Sequence, residues 1–194
     1  MSNFIVSIYT EATPNPDSLK FVMNKMLLTG RSADFERGDD VTHAPLAEEL
    51  FNKFSFIRGV FVMNNFVTVR KDAETDWFEV KSQISDFIKT YVSEGKTLVG
   101  DLPETDNIGG ELDGDAVISK IKQMLDQYVK PAVEMDGGAI QFKSFDKGIV
   151  TLMLQGSCSG CPSSTVTLKS GIEGLLKRMV PEVKEVVAES MDII

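Results

Sequence analysis

The sequence predicts an α+β protein built as two small α+β domains joined by an acidic linker. Three observations carry that prediction. Short alternating runs and longer helical stripes are interleaved in both halves of the chain. Its 194 residues suffice for one or two cores. Between the halves, residues 94–114 hold 1 basic and 6 acidic residues, five glycines and Pro103, against 10 and 13 charged residues in 1–93 and 9 and 10 in 115–194. A self-repelling, glycine-rich stretch is expected to be extended and flexible. The expected domains are therefore 1–93 and 115–194, with the second in the order α-β-β-α-β.

Each element has its own signal. Phe4 to Tyr9 alternates as a strand does, Thr13-Pro14-Asn15-Pro16-Asp17 is turn chemistry, and Leu19 to Met23 reads as a second strand. Pro45 opens a short helix that places Leu46, Leu50, Phe51 and Phe54 on one face. Val60 to Met63 and Phe66 to Arg70 flank Asn64-Asn65, a pair able to take the left-handed conformation, so they form a hairpin. Asp76 and Glu79 resemble a capping box before the stripe Trp77, Val80, Ile84, Phe87, Ile88 and Tyr91, which reads as core. Beyond the linker, Val117 to Val129 is a helix expected to stop at Pro131. Ala139 to Phe145 and Ile149 to Leu154 are strands joined by Asp146-Lys147-Gly148. Thr165 to Met179 is helical, and Val183 to Ala188 closes the domain as a strand.

Composition excludes several functions. A net charge of -9 disfavours nucleic-acid and anionic-membrane binding, which need basic surface. The single histidine, His43, reads as a solvated loop residue and leaves no basis for His-rich metal sites or a Ser-His-Asp triad. No run approaches the ~20 apolar residues of a membrane span. The first residues lack the charged start of a signal peptide and the Arg-rich face of a transit peptide, so a cytoplasmic location is expected.

The two cysteines, Cys158 and Cys161, form C-x-x-C inside Gly156-Ser157-Cys158-Ser159-Gly160-Cys161-Pro162-Ser163-Ser164-Thr165, between a strand and a helix. Glycines let backbone pass close to a metal or cluster, and Pro162 fits a first helical turn. Helix N-terminal amides near Cys161 favour the thiolate, the form that binds metal. Ser163 and Ser164 are placed to cap the helix or to hydrogen-bond a sulfur. Two thiolates are half of a cluster or a Cys₄ zinc site. Either the pair is a redox dithiol, with Cys158 as nucleophile and Cys161 as resolver, or two chains each donate one pair. Two thiols without a role are the third option. The α-β-β-α-β order argues modestly against the redox reading, because a thioredoxin-type site sits in βαβ units.

Further motifs occur in order: Met135-Asp136-Gly137-Gly138, the cysteine loop running on to Lys169, Gly171-Ile172-Glu173, and Val180-Pro181-Glu182-Val183. Together they closely resemble the NifU-like C-terminal domain of Nfu-type iron–sulfur proteins. Thr13 to Phe21, Pro45-Leu46-Ala47 and Phe56-Ile57-Arg58-Gly59-Val60 resemble the Nfu N-terminal domain. The resemblance implies a non-enzymatic carrier of [4Fe–4S] clusters, a homodimer when loaded, with Cys158 and Cys161 of each subunit as ligands. It also implies an upstream scaffold as donor and apo iron–sulfur proteins as clients. Zinc suits the same four thiolates, as an adventitious substitute or as the centre of a zinc-bridged structural dimer, the alternative reading beside the redox dithiol. Where the family often has an acidic residue after the glycines, this chain has Ala139. The glycine motif itself is assigned to the turn before the hairpin.

Overall fold

The computed structural model describes residues 5–100, 116–159 and 162–190. The chain divides into two units, Met1–Leu102 and Pro103–Ile194. The first contains β1 (Ile8–Ala12), β2 (Ser18–Met23), β3 (Leu28–Glu36), α1 (Pro45–Lys53), β4 (Ile57–Asn64), β5 (Phe66–Lys71) and α2 (Trp77–Ser93). Its five strands form an antiparallel sheet in the order β1-β2-β5-β4-β3. Strand alternation sends Phe21, Met23, Val60, Val62, Val67 and Val69 into a core with Leu46, Leu50, Ile84 and Ile88 of the two helices. Asn64 takes φ 48° at the β4–β5 turn, as the Asn-Asn pair predicts. Asp76 caps α2 by accepting from the Phe78 N–H at 2.8 Å.

The Thr13–Asp17 turn is pinned from several sides. Asn15 Oδ1 accepts from the Asp17 N–H, Lys71 Nζ reaches Asp17 at 3.0 Å, and Trp77 Nε1 donates to the Pro16 carbonyl at 3.0 Å. The motif thus ties the β1–β2 turn to the end of β5 and the start of α2. It is structural.

Three expectations change in this unit. The first strand starts at Ile8, later than the alternation suggested. Strand β3 gives no clear sequence signal: it is an edge strand with a register shift between Leu28 and Ser32, and only Ala33 and Phe35 after the shift alternate inward. The segment 94–100, expected as linker, packs on this unit instead. Val99 is buried, Leu98 accepts from the Leu46 N–H at α1, and the Gly100 N–H donates to His43. The Tyr91 hydroxyl donates to Thr97. Its apolar Leu98 and Val99 outweigh the local charge. The rest of the expected linker, 101–114, lies outside the described residues.

The second unit contains α3 (Ala116–Met124), a wide π-type turn (Leu125–Val129), α4 (Lys130–Met135), β6 (Gly138–Asp146), β7 (Ile149–Gly156), α5 (Pro162–Met179) and β8 (Glu185–Ser190). Pro131 does not end the helix. The Lys130 N–H reaches back to Leu125, so the ladder widens just before the proline and absorbs its missing donor. The β6–β7 hairpin turns on Lys147 (φ 49°) and Gly148 (φ 89°), and β8 lies on the other side of β7. Strands β7 and β8 are parallel, with α5 as the crossover between them. Ile121, Leu125, Ile140, Leu152, Leu154, Ile172, Leu176 and Val186 fill the core. No helix among the described residues is long and apolar enough to cross a membrane.

Glu173 couples α5 to β8: it accepts from Lys177 Nζ at 2.5 Å and from the Val186 N–H at 3.1 Å. These bonds, the lysine first, hold its carboxyl below the ordinary value of 4.5. A depressed carboxylate stabilises the fold above its unfolded pKa and loses that contribution as pH falls through the folded value. Glu173→Gln should therefore lower stability at neutral pH, with the gap from the parent closing in acid, below the ordinary carboxylate range. Urea titrations at neutral and acid pH test this; a gap of equal size in acid would contradict it.

Candidate functional site

Cys158 lies on the short connection from β7 to α5, and that connection is held at three points. Gly156 turns the chain off the strand with φ 67°, and its carbonyl accepts both the N–H (3.1 Å) and the hydroxyl (2.8 Å) of Ser159. Ser157 binds the α4–β6 turn, its N–H donating to Gly137 at 3.3 Å and its hydroxyl to Asp136 at 2.6 Å. Thr165, in the first turns of α5, donates its hydroxyl to the Cys158 carbonyl at 3.1 Å. The loop is therefore braced against both neighbouring elements.

Cys158 is buried, at 6% exposure. It packs where Gly138 has no side chain: a Cβ there would stand 2.8 Å from Cys158 Sγ and 2.6 Å from the Gln155 carbonyl oxygen. The Met135-Asp136-Gly137-Gly138 motif thus has two tasks. Gly137, at φ 82°, makes the turn before the hairpin, as expected. Gly138 vacates the space that the sulfur fills, which the sequence did not reveal. Ser157 Oγ stands 3.9 Å from Cys158 Sγ.

Of the two cysteines, Cys161 lies outside the described residues, as do the side chains of Ser163 and Ser164. Among the described residues no three His, Cys, Asp or Glu side chains gather to hold a metal ion. His43 is exposed on a loop, as predicted. Ser157, Thr165 and the Asp136 carbonyl were missed as supports of the loop. Ser157 and Asp136 show in the sequence only by adjacency to a cysteine or glycine, and Thr165 only by its place in the helix that follows the loop.

The topological argument against a redox dithiol does not survive. Because β7 and β8 are parallel, β7–α5–β8 is a βαβ unit, and C-x-x-C occupies its strand–helix junction. The element order was read correctly, but order alone does not give strand direction. Burial of Cys158 replaces it as the evidence against that reading, since an attacking thiolate must reach its disulfide.

Comparison with known proteins places both units. Residues 8–95 match the family model described as "Scaffold protein Nfu/NifU N terminal", and residues 121–187 match "NifU-like domain". The human protein "NFU1 iron-sulfur cluster scaffold homolog, mitochondrial" is 41% identical over 180 residues, covering 92% of this chain and 70% of the human one. The chain belongs to the Nfu family. Its Drosophila erecta relative of the same name is 38% identical over 180 residues, and this chain spans 63% of that protein's length. Among solved structures, the solution structure of the NifU-like protein from Saccharomyces cerevisiae aligns at 23% identity and a TM-score of 0.47, over 53% of this chain and 91% of that one.

These relatives overturn the cytoplasmic expectation, because the Nfu proteins matched at 38–41% identity are named mitochondrial. That expectation rested on the first residues of the chain. Its relatives are longer, so those residues are no guide to compartment.

Proposed function

We propose that this protein binds a [4Fe–4S] cluster as cargo between two chains, through Cys158 and Cys161 of each, and hands it to apo-proteins without catalytic turnover. The observation that carries this reading is the braced loop around Cys158, in a chain of the Nfu family. Cys158 is fixed in place by the bonds that Ser157 and Thr165 make and by the space left at Gly138, which positions its sulfur as a ligand. Ligand count supports the bridging arrangement: full thiolate ligation takes four cysteines, and each chain has two.

A site shared between chains holds cargo firmly yet can release it, because separating the chains divides the ligand set. Client thiolates then replace Cys158 and Cys161 one at a time by ligand exchange. An upstream scaffold supplies the cluster, and the mitochondrial names of the relatives support that compartment for this chain. Zinc suits the same four thiolates and would occupy them as a contaminant.

Transfer is the direct test. Anaerobically loaded protein, mixed with an apo-enzyme that needs a [4Fe–4S] cluster, should restore its activity even with an iron chelator in solution. Reactivation abolished by the chelator would mean that iron is shed and reassembled, not passed on. Disulfide reduction by the apo-protein at rates typical of redox dithiols would favour the oxidoreductase reading instead.

A further inference from the structure

In the first unit a cleft of about 480 Å³ lies along α2, beside the end of α1. Its floor is a ladder of rings, Phe54, Phe87 and Tyr91, stepped by 5.9 and 6.0 Å. Two lysines lie over the ladder. Lys53 Nζ stands 4.7 Å from the Phe87 ring centre and 5.7 Å from that of Phe54, and Lys96 Nζ stands 5.0 Å from that of Tyr91. Core packing accounts for the rings, since Phe54 and Tyr91 are buried in the core and Phe87 packs against it. It does not account for the lysines, and these differ from one another. Lys96 is held by Glu94 at 3.0 Å and by Glu49 at 3.7 Å. Lys53, on α1, has the two rings but, among the described residues, no carboxylate at ion-pair distance. The lining's remaining acid, Asp86, is on the α2 side.

We propose that this cleft binds a short extended segment of a partner protein in which one carboxylate lies beside an apolar side chain. The carboxylate completes Lys53, whose ammonium is already drawn over two rings and so is less hydrated than a free lysine. The apolar side chain covers Phe87, which is only half-buried, and removes it from water. Asp86 sets a limit on the charge of the ligand. A second carboxylate on the α2 side would be repelled, so the cleft selects a segment with one acid over an acidic run. Thr90 and Lys96 along the rim are exposed, which leaves the cleft open to a passing chain. The two steps of the ladder match about three residues of extended chain, at roughly 3.3–3.6 Å each. Both cysteines are in the other unit, so the inference stands apart from the cluster reading.

Titration of the full-length, cluster-free protein with the capped peptide acetyl-Asp-Phe-Gly-amide, followed by NMR, tests this. The ring signals of Phe87 and Tyr91 should shift and saturate. Acetyl-Asn-Phe-Gly-amide should bind about threefold to fivefold more weakly, the factor an exposed ion pair supplies, and acetyl-Lys-Phe-Gly-amide more weakly still. Lys53→Gln, at an exposed position, should remove the preference for aspartate over asparagine without changing the asparagine peptide's affinity. Lys53→Arg should keep the preference. Shifts that never saturate, or that fall elsewhere on the protein, overturn the inference. So does an asparagine peptide that binds the parent as tightly as the aspartate one, or a Lys53→Gln variant that weakens both alike. Binding of 3-phenylpropionate as tight as the peptide's would make the occupant a small acid, not a protein segment, and would overturn it too. None of these outcomes bears on cluster binding.

Discussion

Replacing either cysteine, Cys158→Ala or Cys161→Ala, is expected to leave a folded protein that retains no cluster. Each variant offers two thiolates per pair of chains where the parent offers four, and a [4Fe–4S] cluster held by two thiolates has open iron positions that water and oxygen attack. Iron content after anaerobic loading and desalting should fall from about four per two chains to near zero. The fold should survive, because Cys158 is one small member of a core made mainly by Ile121, Leu152, Leu154, Leu176 and Val186. Circular dichroism and iron analysis on the same samples check both halves of the expectation. A cluster retained by either variant would remove that cysteine from the ligand set.

The second large effect is at Gly138. Alanine there must place its Cβ 2.6 Å from the Gln155 carbonyl oxygen and 2.8 Å from Cys158 Sγ. The carbonyl belongs to the β7 backbone, paired with β6 at this point, and cannot move without opening the ladder. Gly138→Ala should therefore destabilise the second unit by about 1–3 kcal/mol, the usual range for overpacking. It should also displace the thiol and reduce cluster retention. Gly171 makes the opposite prediction from the same substitution. It lies inside α5, and a Cβ there would meet nothing within 4 Å. Gly171→Ala should stabilise by about 0.5–1 kcal/mol through helix propensity alone and leave loading unchanged. Thermal unfolding of the two variants should move in opposite directions; two shifts of the same sign would refute the steric argument.

What could be read from the sequence follows from where the information is local. The β4–β5 and β6–β7 hairpins were legible because Asn64 and Lys147-Gly148 announce their own backbone conformations. Helix α2 was legible because Val80, Ile84, Ile88 and Tyr91 repeat at helical spacing and Asp76 caps them. The losses were mostly long-range. Strand β3 depends on its pairing with β4 more than on its own residues. Pro131 reads as a stop, yet the wide turn before it lets the helix run on to Met135. The parallel direction of β8, which puts the cysteines in a βαβ unit, depends on pairing with β7. Cys158 was legible as a candidate ligand from its motif, but the space that Gly138 leaves for its sulfur requires two strands brought together.

Native mass spectrometry of the anaerobically loaded full-length protein tests the bridging claim most directly. The account predicts one cluster, with about four irons, on two chains, and cluster-free chains when the pair is separated in the gas phase. A [4Fe–4S] cluster carried by a single chain would contradict it.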